Sequence, residues 1–518
     1  MEHSNVSDLV RAAAATDQGH PALVETATGT TLTWGELDAA VDAAAAGFAA
    51  DAGPGDRVVV RLASTLSYCI AVFGVWRAGC TLVPMAKRAA PRELDDALAS
   101  SGAKLLVAEP DDEVAVTPSS GRGAVTPSSG RGAGATGVPV VPPPSRADWP
   151  VPPFTTRAGG EDIAVLAFTS GTSGTARGVM LSHRALLANV AQCAELRPAP
   201  VPAADRVLLA LPLFHVYGLG PGLLQVANAG ATAVLAGRFD AAEALEVIAK
   251  HRVTTVVGVP PMYRAWLKLG AEQLRSGFAT VRLLTSGAAP LEPSLGQAFR
   301  EATGLGIYEG YGLTETGPVL TSTLVGGAPK PGSVGRAIPG VELRLVDADG
   351  TPLAIDDEED EDEEDAGTGL VAARGDNLLT GYWPSGQGGP DADGWFRTGD
   401  VGFLDADGDL HLVDRASDLI IVNGFNVYPH EVERALLEHP SVAAAAVVGI
   451  PDEETGETVR AVLVLAGSLT LSELEEHCAL RLARYKMPTT VELVDELPVT
   501  ATGKLARRAL RTLSGRPL

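Results

Sequence analysis

Asp162-Ile-Ala-Val-Leu-Ala-Phe168 runs without a break into Thr169-Ser-Gly-Thr-Ser-Gly-Thr-Ala-Arg-Gly178. The first seven residues read as a strand covered on both faces, and the rest as a hydroxyl- and glycine-rich loop ending in a cation. Glycine lets a backbone approach an anion closely, while hydroxyls and backbone N–H groups wrap phosphate oxygens. Thr169, Ser170, Gly171, Thr172, Ser173 and Gly174 are therefore candidate phosphate ligands, with Arg177 adding charge. A plain Ser/Gly linker would not follow a buried strand so directly. Nor is this a Walker loop, because the Gly-Lys pair of the chain, Gly503-Lys504, is followed by Leu505 rather than Ser or Thr.

Working outward, near-continuous apolar runs recur at Arg57–Leu62, Lys104–Ala108, Arg206–Leu211, Thr232–Leu235, Thr254–Val259 and Val281–Thr285. Helical patterns separate them, one opened by the capping box Thr33–Glu36 and another capped by Ser182. This alternation predicts a doubly wound α/β arrangement, with enough strands for two sheets. Beyond Gly340 the texture turns β-rich (VELRLV, GLVAAR, DLHLVDR). A smaller α+β pattern then follows, with Pro429 at a helix start and a second capping box at Thr470–Glu473. We expect a large N-terminal domain over 1–414 and a small, mobile α+β domain over 415–518.

The 518 residues are too many for one core, and 46% apolar with 20% charged residues is an ordinary globular balance. The net charge of −24 is partly local: Asp356–Asp365 contributes ten acids, and without that solvated loop the balance is −14. An acidic chain without a basic block is a poor candidate for nucleic acid or anionic membranes. A second low-complexity segment, about 111–153, carries AVTPSSGRG twice in tandem and reads as a flexible insertion. Four cysteines without a CxxC pair exclude a disulfide framework and a thiolate zinc site. The N-terminal stretch lacks a signal-peptide layout, so a cytoplasmic location is expected. Val207–Gly237 is almost uncharged, but Pro212, Pro221 and several glycines predict a buried strand, loop and helix rather than a membrane span.

Three more loops carry chemistry. Ser286-Gly-Ala-Ala-Pro290 ends a strand. Tyr308-Glu-Gly-Tyr-Gly-Leu-Thr-Glu315 gathers an aromatic for stacking a base, a hydroxyl, and a carboxylate able to hold Mg²⁺ beside phosphates. Gly394–Asp400 (GWFRTGD) ends in a carboxylate suited to two ribose hydroxyls.

In this order, the four segments resemble the adenylate-forming superfamily of acyl-CoA synthetases, luciferases and peptide-synthetase adenylation domains, over nearly the whole chain. Gly394–Glu433, including DR…D, GFNVYP and EVE, is most similar to bacterial medium- and long-chain fatty acid–CoA ligases. Leu497–Leu510 (LPVTATGKLARRAL) matches their closing motif. The resemblance implies a two-step ligation: a carboxylate attacks the α-phosphate of Mg-ATP, and coenzyme A then displaces AMP after the small domain rotates. It implies that Thr169–Gly174 and Arg177 hold the outer phosphates, Thr314 meets the α-phosphate, and Glu315 binds Mg²⁺. Gly287, Ala288, Ala289 and Tyr311 would enclose adenine, and Asp400 with Arg415 the ribose. Lys504 would be the catalytic lysine, with Gly424 and Phe425 on the face that meets coenzyme A.

The sequence departs from that pattern in places. The loop ends Ala176-Arg177-Gly178 where relatives have Pro-Lys-Gly, and Arg is larger and planar. Ser417 stands at the hinge, where Asp or Lys is common. In Leu211–Gly220 (LPLFHVYGLG), His215 follows Phe214 where amino-acid-activating relatives carry an Asp; a buried ammonium there would lack its counter-charge. His215 is either structural or near the reacting carboxylate. Uncharged, Gly-rich walls suit a fatty acid. Two alternatives stay open: a fatty acyl-AMP ligase delivering to an acyl carrier protein, and a catalytically weak nucleotide or acyl binder. Ten consecutive carboxylates cannot pack on an apolar surface to restrain the small domain, which disfavours the first.

Overall fold

The computed structural model describes residues 4–110, 112, 132–133, 138–143, 152–170, 176–353, 367–415, 418–422, 425–452, 455–499, 505–513 and 515–518. The tandem repeat (except Gly132), the acidic run and Ser417 lie outside them. The chain divides into two compact units, one of Met1–Glu342 with Ala373–Phe396 and one of Leu343–Ala372 with Arg397–Leu518.

The first unit contains two large sheets. One has a parallel centre of Ile307–Tyr311, Leu283–Ser286, Thr255–Gly258, Arg206–Leu209, Thr232–Leu235 and Pro21–Glu25, finished by antiparallel edge strands. The other is parallel through Arg57–Arg61, Thr81–Pro84, Leu105–Ala108, Pro139–Val141 and Ile163–Ser170. Its far edge is not parallel. Ile163–Ser170 pairs antiparallel with Ala176–Ser182, and Gly381–Trp383 joins as a further antiparallel strand. The doubly wound expectation holds for the centre of each sheet.

Local chemistry explains the helix starts. Thr33 accepts from Glu36 N–H at 3.2 Å while the Glu36 carboxylate accepts from Thr33 N–H at 2.9 Å. Ser182 accepts from Ala185 N–H, and the Thr470–Glu473 box is formed as well. Helix Ala241–His251 begins on Asp240 and packs beside Trp266, whose indole N–H donates to the Ala241 carbonyl at 3.0 Å. Phe239 and Phe278 meet that ring edge-on at 5.1 Å, giving an aromatic core outside the first sheet.

The uncharged Val207–Gly237 stretch resolves into strand Arg206–Leu209, a π-type turn at Gly218–Leu224, helix Gln225–Ala229 and strand Thr232–Leu235. A Cβ at Gly218 would lie 2.5 Å from the Pro212 carbonyl, so the turn packs at glycine distance. Among the described residues, no helix is long and apolar enough to cross a membrane.

Strand Phe396–Leu404, in the second unit from Arg397 onward, pairs antiparallel with Leu410–Arg415. The smaller sheet has Gly456–Leu465 at its centre, flanked by Val442–Asp452, Ile420–Val422 and Thr490–Leu493. Helix Pro429–Leu437 covers it with Val432, Ala435 and Leu436. Buried Glu433 on that helix accepts from Arg507 and from Val447 N–H, tying the end of the closing motif to the sheet.

Candidate active site

The paired strands place Thr169 opposite Arg177 and Ser170 opposite Ala176; Gly171, Thr172, Ser173 and Gly174 lie outside the described residues. Gly178 has a packing reason: a Cβ there would sit 2.9 Å from the Leu166 side chain and 3.1 Å from that of Trp383. This close approach lets Gly381–Trp383 pair with Ala176–Ser182, with Tyr382 opposite Val179. The Arg177 guanidinium then lies over the Tyr382 ring, 3.6 Å from its centroid. The Tyr382 hydroxyl donates to Glu315 Oε1 at 2.9 Å. Burial, and then the neighbouring Glu315 charge, push the Tyr382 hydroxyl well above its ordinary pKa, so it remains a donor.

Thr314 and Glu315 lie on a 3₁₀ turn held from several sides. Asn377 donates to the Thr316 carbonyl at 2.7 Å, Leu379 N–H to the Glu315 carbonyl at 2.8 Å, and the Thr316 hydroxyl to the Pro318 carbonyl at 2.9 Å. A Cβ at Gly312 would stand 1.8 Å from the Pro318 carbonyl oxygen, so only glycine fits there. A carboxylate on a fixed turn, joined through Tyr382 to the Arg177 guanidinium, fits Mg²⁺, which is held by one or two carboxylates together with substrate phosphates.

Gly287, Ala288 and Ala289 follow strand Leu283–Ser286, which pairs with Ile307–Tyr311, so this loop and Tyr311 lie at the ends of neighbouring strands. Ala288 adopts φ 65°, a left-handed conformation that costs a non-glycine residue on the order of 1 kcal/mol and is typical of ligand loops. A Cβ at Gly287 would meet the Tyr217 ring at 2.8 Å, which brings the LPLFHVYG segment against the same loop. His215 Nδ1 accepts from Tyr217 N–H at 3.2 Å, leaving the ring proton on Nε2.

Beside this loop, Tyr217, Thr285, Ser286, Glu309, Val257 and Val319 line a narrow cavity of about 60 Å³. Burial pushes the Glu309 carboxyl up to about 7, against a single hydrogen bond from Leu291 N–H. In the second unit, buried Asp400 stands directly opposite Arg415, and Phe425 opposite Val422. Gly424 and Lys504 lie outside the described residues. The structure thus links Thr169, Arg177, Thr314 and Glu315 through Tyr382, and Gly287–Ala289, Tyr311 and His215 through Tyr217 and paired strands. Sequence reasoning missed Tyr382 and Glu309. Tyr382 follows a glycine in a three-residue strand too short to show a pattern, and its partners are about 200 and 70 positions away.

Residues 10–383 match the family model described as AMP-binding enzyme, and residues 431–504 match the model of its C-terminal domain. The chain belongs to the AMP-binding enzyme family. A feruloyl-CoA synthase from Amycolatopsis sp is 35% identical over 94% of this chain and 95% of its own length. A long-chain-fatty-acid–CoA ligase from Yersinia pestis is 33% identical over 88% of this chain and 85% of its own. Among solved structures, ATP-bound MatB from Rhodopseudomonas palustris superposes with a TM-score of 0.84 at 29% identity, covering 98% of each chain. As an AMP-binding enzyme, the protein is an ATP-dependent acid–CoA ligase, with Mg²⁺ and coenzyme A as the family's standard requirements.

Proposed function

We propose that this AMP-binding enzyme activates a fatty acid and transfers the acyl group to coenzyme A. The observation carrying the reading is the lining of the cavity beside Ser286 and Tyr217. It is walled by Leu196, Val201, Val257, Val319 and Leu324, and its lining includes no Lys, Arg or His. A second carboxylate or a polar head would lose hydration there without a cation in return, whereas an alkyl chain gains by burial. At about 60 Å³ the cavity holds roughly two waters' volume, so its walls must part as a longer chain enters.

In this reading the substrate carboxylate attacks the α-phosphorus of ATP, and pyrophosphate leaves. Thr169–Gly174 and Arg177 hold the outer phosphates while Thr314 meets the α-phosphate. Glu315 would hold Mg²⁺, which when bound would supply charge neutralisation on the phosphates. Gly287–Ala289 and Tyr311 enclose adenine, and Asp400 with Arg415 holds the ribose. Lys504 bridges carboxylate and phosphate, then departs as the 415–518 domain rotates against 1–414. Gly424 and Phe425 then face coenzyme A, whose thiolate sulfur attacks the acyl carbon and expels AMP. His215, with its proton on Nε2, faces the carboxylate as a donor. The chemistry needs positioning and charge stabilisation rather than an enzyme nucleophile. Four buried, unpaired cysteines suit work in the cytoplasm.

The test is product analysis with ATP, Mg²⁺ and a fatty acid, with and without coenzyme A. We expect acyl-CoA and AMP in equal amounts when coenzyme A is present. Acyl-adenylate that accumulates in the presence of coenzyme A, and is discharged only by an acyl carrier protein, would contradict the ligase.

A further inference from the structure

We propose that Tyr382 is a positioning residue that fixes Arg177 and Glu315 as one unit for the nucleotide's polyphosphate; the inference rests on the ATP-binding reading of this site. Its two contacts differ in kind. The ring face carries the Arg177 guanidinium at 3.6 Å from its centroid, and the hydroxyl holds Glu315 Oε1 at 2.9 Å. A planar guanidinium stacked on an aromatic face keeps its in-plane N–H groups directed outward, where a phosphate can take them in pairs. An ammonium cannot stack in this way. The arginine at this loop position is therefore matched by the tyrosine beneath it.

The surroundings keep Tyr382 in place. Its N–H donates to the Gln387 carbonyl at 2.9 Å, and its carbonyl accepts from Gly386 N–H at 2.8 Å. Next to it, the Trp383 indole N–H donates to the Ser100 carbonyl at 2.8 Å. Gly388 closes over the pair: a Cβ there would lie 2.9 Å from the Tyr382 ring and 3.4 Å from an Arg177 nitrogen. Thr380 N–H on the Met180 carbonyl and Leu379 N–H on the Glu315 carbonyl tether the preceding residues to strand Ala176–Ser182 and to the 3₁₀ turn. One short segment thus reaches both polyphosphate-binding elements, and Tyr382 is its side-chain link.

The experiment compares Tyr382→Phe, Tyr382→Leu, Arg177→Lys and the Tyr382→Leu/Arg177→Lys pair. Calorimetry reads ATP affinity in EDTA, and pyrophosphate release is titrated with Mg²⁺. Tyr382→Phe keeps the stack and loses the hydroxyl, so its metal-free ATP affinity should match wild type while the Mg²⁺ requirement rises about tenfold. Tyr382→Leu loses both contacts and should also bind metal-free ATP roughly three- to tenfold more weakly. Arg177→Lys should weaken ATP binding in the wild-type background and add nothing to Tyr382→Leu, because the stack is already gone. A Tyr382→Phe enzyme with wild-type Mg²⁺ dependence would overturn the proposal, as would additive losses in the pair. A wild-type protein that binds no ATP would instead overturn the nucleotide-site reading beneath it.

Discussion

A Lys504→Ala enzyme should form acyl-adenylate about a thousandfold more slowly than wild type, the scale on which a positioned electrostatic group acts. Supplied with acyl-adenylate and coenzyme A, it should make thioester at close to the wild-type rate. The asymmetry follows from the assigned role. During adenylation, negative charge shared between the carboxylate and the α-phosphate collapses onto the transferring oxygens, and a bridging ammonium stabilises that state. In the proposed mechanism the lysine leaves with its domain before the second half-reaction. Losing the side chain then costs little, and both half-reactions can be timed separately by quenched flow. Equal losses in the two would contradict the role. Three residues on, Arg507 is held by buried Glu433, so the variant should leave the anchor of this segment intact.

The second expected result concerns Glu309. In the fold its carboxyl titrates at about 7 instead of 4.5, because burial disfavours the charge and only the Leu291 N–H opposes that effect. Between those values the folded chain holds a proton that the unfolded chain releases. Stability is therefore full below about 4.5, falls as pH rises through the window, and levels off above it. The loss amounts to about 3 kcal/mol. Glu309→Gln imitates the protonated acid at every pH. Chemical denaturation should find it close to wild type at pH 5 and about 3 kcal/mol more stable at pH 8. A stability difference that is the same at both values would show that Glu309 is not carrying this titration.

Much of the architecture could be read before any coordinates. Strand Thr232–Leu235 is an unbroken apolar run between two turn signals, and both Thr-x-x-Glu boxes form as the sequence implies. These signals are local, so periodicity and capping chemistry carry them. What escaped depends on partners far along the chain. Ala176–Ser182 begins with Ala-Arg-Gly, which has no strand pattern, and becomes a strand because Gly178 admits both Leu166 and Trp383. Gly381–Trp383 is three residues long and exists as a strand through its pairing with that strand. The loops meant to carry chemistry were legible as glycine- and hydroxyl-rich segments at strand ends. Tyr382 was not, since neither Arg177 nor Glu315 is near it in sequence. Glu309 sits one position from the motif's first tyrosine, and nothing in YEGYG reveals that its carboxyl is buried against a cavity.

The most direct test of the central claim is kcat/KM for pyrophosphate release, with coenzyme A present, across acetate, octanoate, palmitate, benzoate, ferulate and malonate. A largely apolar cavity with no cationic residue in its lining predicts that octanoate or palmitate leads the set, with malonate at least about tenfold behind. Ferulate or malonate ahead of every fatty acid would contradict the account.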